Sequence, residues 1–273
     1  MGLPREVAVA EALAFVDIHC HMLPGLDDGP VNLGVSLAMA EMAVADGIGT
    51  VVVTPHQLGN YSRNRGGTIR AFAERFQVEL AQRGIPLHIL PGADVRIEPN
   101  MIEDLLTGDV VSLADWRRHV LLELPHELYV PLEGLLRGLR SAGMVGILSH
   151  PERNQGILRD PEVVVGLVEA GCLMQVTAGS LVGSFGPEIE EFSEWVLEEG
   201  LVHFLATDAH GTASRRPLMS HAYHRAAELV GQRRAEELCC LNPAAVAAGS
   251  EVAAGRCRTM VGTGGWFRRR RAC

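Results

Sequence analysis

The stretch Leu13-Ala14-Phe15-Val16-Asp17-Ile18-His19-Cys20-His21 decides how the chain is read. It is apolar and partly β-branched, and it feeds forward into two histidines. Six more runs behave similarly, over residues 48–56, 85–94, 119–123, 145–150, 172–177 and 202–210. Apolar runs of this length predict strands buried on both faces, as in a parallel sheet. Six of the seven runs end on His, Asp or Glu: His19 with His21, His56, Asp94, Glu123, His150, and Asp208 with His210. Polar residues at the carboxyl ends of successive strands are how a barrel-type enzyme builds its site. The run 172–177 exits into Ala178-Gly179-Ser180 and offers no obvious ligand.

Helical patterns fill the intervals. Residues 33–46 stop at Gly47, and 69–83 follow Thr68 as N-cap and stop at Gly84. Residues 131–142 stop at Gly143. A fourth helix opens on Asp160-Pro161 and stops at Gly171, and 187–199 stop at Gly200. Glycine supplies the left-handed residue after a helix, and proline fits the first turn. The repeated order of helix, glycine and strand implies parallel strands with right-handed crossovers. The expected fold is α/β: a single distorted, TIM-like (β/α)7 barrel over residues 15–249, with its site at the carboxyl ends of the strands. Residues 1–14 read as an N-terminal extension and 250–273 as a flexible Gly/Arg-rich tail. The rival is an open doubly wound sheet, which would hold exits from distant strands too far apart to share a site.

The net charge of −9 over 273 residues argues against a nucleic-acid partner. No apolar run approaches the ~20 residues of a membrane span, and residues 1–14 lack a signal pattern, so a cytoplasmic protein without membrane insertion is expected. Arg268, Arg269, Arg270 and Arg271, beside Trp266 and Phe267, read as a solvated tail or as a contact for an acidic partner or anionic lipid. The six cysteines form no CxxC pair, and Cys20 and Cys172 fall in strands as small buried thiols. Cysteine-dependent phosphatases need an arginine six residues after the thiol. Those positions hold Leu26, Ala178, Ala245, Val246 and Thr263, and Cys273 ends the chain. Cysteine-based phosphoester chemistry is excluded.

His19 and His21 stand two apart on a strand, so both imidazoles share one face. Packed with the other exits and no cation, they would leave unpaired buried charges costing several kcal/mol each. The metal-ligand candidates are His19, His21, Asp28, His56, Asp94, Glu123, His150, Asp208 and His210, with Asp27 a rival for Asp28. Nine donors suit two or three ions. Imidazole and carboxylate without thiolate favour Mn, Fe or Zn over Ca or Mg. Bridged ions would hold a hydroxide and clamp the oxygens of an in-line displacement, which suggests phosphoester hydrolysis. Arg153 and Arg215 lie on loops just beyond proposed ligands, where guanidinium forks would grip phosphate oxygens. Arg63 and Arg65, in the loop 60–67, are further candidates for gripping a large substrate.

The motifs Asp17-Ile18-His19-Cys20-His21, Leu26-Asp27-Asp28-Gly29, Thr54-Pro55-His56, Ser149-His150-Pro151-Glu152-Arg153, Ala178-Gly179-Ser180-Leu181 and Thr207-Asp208-Ala209-His210 occur in that order. Together they resemble the PHP (polymerase and histidinol phosphatase) superfamily. They are most similar to the bacterial manganese-dependent protein tyrosine phosphatases of capsule and exopolysaccharide loci. The resemblance implies a distorted (β/α)7 barrel, a trinuclear metal site on the nine residues above, phosphate binding by Arg153 and Arg215, and hydrolysis of phosphotyrosine. It implies as substrate the tail of a bacterial tyrosine kinase that controls polysaccharide export. Asp94 stands where the family usually has Glu, one methylene longer, and Gln57 where many members have a second His. Two other readings stay open from sequence: a small-molecule phosphatase of the histidinol-phosphate type, and a metal-stabilised protein that only binds its partner.

Overall fold

The computed structural model describes residues 13–257. The strands are β1 (Phe15–Cys20), β2 (Ile48–Val53), β3 (His56–Gln57), β4 (His88–Pro91), β5 (Asp94–Arg96), β6 (His119–Glu123), β7 (Val145–Ser149), β8 (Leu173–Thr177) and β9 (Phe204–Ala206). Every ladder is parallel, as expected. Among the described residues there are nine strands rather than seven because two runs break. Run 48–56 breaks at Thr54-Pro55, and run 85–94 at Gly92-Ala93. Proline has no N–H for a ladder and restricts the residue before it.

These side-by-side breaks divide the strands into two sheets, β1-β2-β4 and β3-β5-β6-β7-β8-β9. The last strand returns to the first. Asp208 N–H donates to His19 O at 2.7 Å, His21 N–H donates to Ala209 O at 2.8 Å, and Cys20 bridges Ala209 in parallel. An open sheet would keep its two edge strands apart. The ladders nonetheless remain two sheets and do not join into one continuous ring.

Strand residues alternate between two apolar clusters. Val52, Leu121, Ile147, Leu173 and Phe204 belong to one, which draws on both sheets. Their neighbours Val51, Val53, Val120, Leu122, Leu148, Met174 and Leu205 belong to the other, together with the helices. Because the side-chain period is two, the residues that follow on the first face are Thr54, Glu123, Ser149 and Gln175. A polar layer thus sits directly above an apolar one, and it begins the site.

The five helix patterns appear as α1 (Leu33–Ala45), α2 (Gly66–Gln82), Glu133–Ser141, Val163–Glu169 and Pro187–Glu198. The glycines after them, Gly47, Gly84, Gly143, Gly171 and Gly200, all have φ between 67° and 93°. Two caps differ from expectation. Thr68 lies inside α2, because Gly66 N–H finds Asp109 O at 2.9 Å and the helix starts there. Asp160 closes the short helix Gln155–Arg159 instead of opening the next one. The tail expected from residue 250 is also held at its start. Cys257 N–H donates to Gly200 O at 2.8 Å, and Arg118 pairs with Glu251 at 2.6 Å. The remainder of the tail, with its four arginines, and residues 1–12 lie outside the described residues. No helix among the described residues is long and apolar enough to cross a membrane.

Candidate metal centre

The strand exits meet at one mouth. His19 Nε2 lies 3.2 Å from His21 Nε2, 3.2 Å from Asp208 Oδ1 and 3.6 Å from Asp94 Oδ2. His56 Nδ1 lies 3.4 Å from Asp94 Oδ2 and 3.5 Å from Glu123 Oε2. Asp28 Oδ1 reaches His56 Nε2 at 3.5 Å and His210 Nε2 at 3.4 Å. All nine sequence candidates fall into four overlapping groups whose ligand atoms lie within 4.8 Å of one another. The groups are His21/Asp28/His56/His210, His19/His21/Asp94, His19/His150/Asp208 and His56/Asp94/Glu123. Asp94 belongs to two of them, so the shorter side chain still reaches both neighbourhoods. Ser149 Oγ approaches its other oxygen at 3.4 Å.

The rings are aimed by hydrogen bonds on their far nitrogens. His21 Nδ1–H donates to Asp27 Oδ2 at 2.6 Å, His19 Nδ1–H to Gln175 Oε1 at 2.8 Å, and His210 Nδ1–H to the Asp208 carbonyl at 2.9 Å. Each Nε2 then presents a lone pair to the mouth. Two such lone pairs, on His19 and His21, face each other at 3.2 Å, an arrangement that a shared cation relieves.

The same bonds decide between the two aspartates of the turn. Asp27 is used up by His21 Nδ1, His56 N and Gly29 N, whereas Asp28 is 51% exposed and projects toward His56 and His210. Gly29 is required there, since a Cβ would stand 2.7 Å from His21 O. Strain collects at the same place. His150, Asp208 and Arg215 have φ of 33°, 49° and 48°, in the region that side chains disfavour.

Burial lowers the pKa of His21 to about 4 and holds His150 well below the usual histidine range. His56 goes the other way: Asp94 and Glu123 outweigh its burial and raise it to about 9. Burial beside Asp94 raises Glu123 to about 8. Asp94 and Asp208 are held low against their burial by the surrounding histidines, with Arg215 adding to the effect on Asp208. Asp28 is held low by the close approach of His210, whose Nε2 lies 3.4 Å from its Oδ1, with His56 and His21 adding to the effect. Four buried atoms of the candidate metal ligands have no hydrogen-bond partner among the described residues: His56 Nδ1, Asp94 Oδ2, Asp208 Oδ1 and His210 Nε2. Buried polar atoms are rarely left so. Imidazole nitrogen and carboxylate oxygen fit Mn, Fe or Zn.

Residues 15–248 match the sequence family described as capsular polysaccharide synthesis, CpsB/CapC. The chain belongs to the CpsB/CapC family. A tyrosine-protein phosphatase of Bacillus subtilis, YwqE, is 39% identical over 202 residues, covering 73% of this chain and 79% of the relative. A tyrosine-protein phosphatase of Streptococcus pneumoniae, CpsB, is 29% identical over 237 residues, covering 84% of this chain and 96% of the relative. Among solved structures, one from a study of YwqE and CpsB, described there as unique metal-dependent tyrosine phosphatases, matches with a TM-score of 0.84 at 33% identity. It covers 89% of this chain and 99% of that one. The phosphotriesterase homology protein of Escherichia coli matches with a TM-score of 0.56 at 10% identity, a likeness of fold alone.

In this CpsB/CapC-family chain the two arginines singled out in the sequence converge as well. Arg153 and Arg215 both pair with Asp208 Oδ2. Arg65 instead faces Asp109 at 3.9 Å, and Arg63 is exposed. Gln57 points away from the mouth. Its amide donates to Asn64 O and Asp109 O and accepts from Val111 N, which holds the loop after β3.

Sequence reasoning passed over several residues. Gln175 comes from the run that offered no ligand, and its signal was an amide in an otherwise apolar strand. Asp17 accepts from Thr207 N–H and hydroxyl and from His19 N–H, which ties β9 to β1. Glu152 is fully buried and accepts from Thr177 N–H at 2.9 Å and Ser180 Oγ at 2.7 Å. Tyr61 stacks on His56 and His126 on His150, with centroids 5.2 and 5.9 Å apart.

Proposed function

We propose that this chain is a metal-dependent protein tyrosine phosphatase that holds two or three divalent ions at the barrel mouth. The observation that carries the reading is the pair of Nε2 lone pairs at 3.2 Å, each fixed inward by an acceptor on its own Nδ1–H. His19, His21, Asp28, His56, Asp94, Glu123, His150, Asp208 and His210 would hold the ions. Manganese is the proposed metal, with iron or zinc fitting the same donors. The architecture would be a distorted (β/α)7 barrel over residues 15–249, its ring interrupted at the two strand breaks.

Bound there, the metal supplies an activated water and neutralises charge on the phosphoryl group. The protein supplies position. Asp27 and Gln175 keep two imidazoles aimed. Arg153 and Arg215 turn from Asp208 to the phosphate oxygens, where guanidinium forks match phosphate geometry. Phenolate is a good leaving group, so no dedicated acid need be assigned. The proposed substrate is phosphotyrosine in the tail of a bacterial tyrosine kinase of capsule or exopolysaccharide synthesis, met in the cytoplasm. The relatives' activity as tyrosine-protein phosphatases and the capsular polysaccharide synthesis family support phosphotyrosine and the capsule setting.

Purified protein with Mn should hydrolyse a phosphotyrosine peptide with a much higher kcat/KM than histidinol phosphate, and His21→Ala should abolish turnover. Hydrolysis unchanged in His21→Ala would overturn the site assignment. A preference for histidinol phosphate would overturn the substrate.

A further inference from the structure

The motif Ala178-Gly179-Ser180-Leu181 contributes no donor to the mouth, yet the structure invests in holding it there. Buried Glu152, one residue before Arg153, accepts from Thr177 N–H and Ser180 Oγ and ties this segment to the arginine's loop. Beyond it the chain turns back on itself. Ser184 N–H donates to Gly179 O at 2.9 Å, and Gly186 N–H donates to Gly183 O at 3.2 Å. The turn presents Phe185. Its ring is seated on Gly179, where a Cβ would come within 3.3 Å of it, and it lies 4.7 Å under the Arg153 guanidinium. Phe185 also lines a hollow of about 410 Å³, walled by Val182, Leu218, Ala213, Thr207 and Arg215. One wall of this hollow is therefore Arg215, the arginine proposed to grip phosphate, with Arg216, His221, Ser184 and Ser214 as further polar lining; Thr207 adjoins Asp208, and Phe185, Val182, Leu218 and Ala213 supply an apolar side. Val182, 39% exposed, leaves that apolar surface open.

We propose that this hollow, with Phe185 as its shelf, receives the phenyl ring of phosphotyrosine and makes the site selective for aryl over alkyl phosphates. The inference rests on the phosphatase reading above. A phosphate held between Arg153 and Arg215 directs its ester substituent along this wall. An aryl substituent gains an aromatic neighbour and apolar contact, while a methyl-sized one gains little.

Calorimetric binding of two non-hydrolysable probes to the metal-loaded protein tests it. Wild-type protein should bind phenylphosphonate roughly three- to tenfold more tightly than methylphosphonate, the scale of one aromatic contact. Phe185→Ala should bring the ratio close to one, and Phe185→Tyr should preserve it. Val182→Ser alters an exposed side chain, so it folds, and it should lower the ratio in part. An unchanged ratio in Phe185→Ala and Val182→Ser would overturn the shelf. Equal weakening of both probes would also overturn it, since Phe185 would then only steady Arg153. Turnover of a phosphotyrosine peptide by the wild type, measured in parallel, judges the phosphatase reading separately from this ratio.

Discussion

The two ends of the strands treat buried histidine in opposite ways. Near the strand starts, His203 is fully buried and complete. It accepts from Met174 N–H on Nδ1 at 3.1 Å and donates from Nε2 to Gly255 O at 3.1 Å. At the strand ends, His19, His21 and His210 spend one nitrogen on an acceptor and leave the other aimed at the mouth, among carboxylates with unpartnered oxygens. Burial alone does not mark a ligand. The informative difference is a histidine half satisfied and pointed at another like it.

The sharpest way to break that contrast is to remove a group at the mouth. Arg153→Ala should lower kcat on a phosphotyrosine peptide by roughly 10²–10³-fold, the scale of losing one aimed charge stabiliser. A change below threefold would place Arg153 outside the chemistry. One step back, Asp27→Asn keeps the turn but removes the carboxylate that aims His21. It should weaken metal affinity or activity by roughly 10–100-fold, read by metal titration. Equal metal affinity in mutant and wild type would mean that the aim of His21 does not matter.

At the other end the effect is on folding and on acid response. Burial lowers the pKa of His203 to about 4 from 6.5, so folding favours its neutral form. Its contribution is complete above pH 6.5 and is lost as pH falls through 4. Chemical denaturation of the metal-free wild type should show this loss. In His203→Gln the loss between pH 6.5 and 4 should shrink by on the order of 2–3 kcal/mol. An identical acid slope in both proteins would remove His203 from the account.

Much of this contrast was legible in the sequence. Eight of the nine candidate donors stand at the ends of apolar runs, while Asp28 and the two arginines lie on the loops just beyond them. Three features depended on contacts that no local pattern carries. Asp27 and Asp28 are neighbours of identical chemistry, and only the bond to His21 Nδ1 separates them. Gln175 is an amide in an otherwise apolar strand, but its role rests on reaching His19 from β8, a strand that does not pair with β1. The strand breaks at Thr54-Pro55 and Gly92-Ala93 split the sheet because two adjacent strands interrupt together, and a reading of each run alone cannot see that. Asp94 carries the opposite lesson. Its side chain is short, but His19 and His56 both come within 3.6 Å of it.

The central claim is that the paired Nε2 atoms and their carboxylates form a metal site. The most direct test is titration of chelator-stripped protein with Mn, reading stoichiometry and proton release together. His56, held near 9, must lose its proton to act as a ligand. The account predicts two or three ions bound per chain with net proton release at pH 7.5, and fewer ions in His21→Ala. No saturable binding, or the same stoichiometry and proton release in His21→Ala, would contradict it.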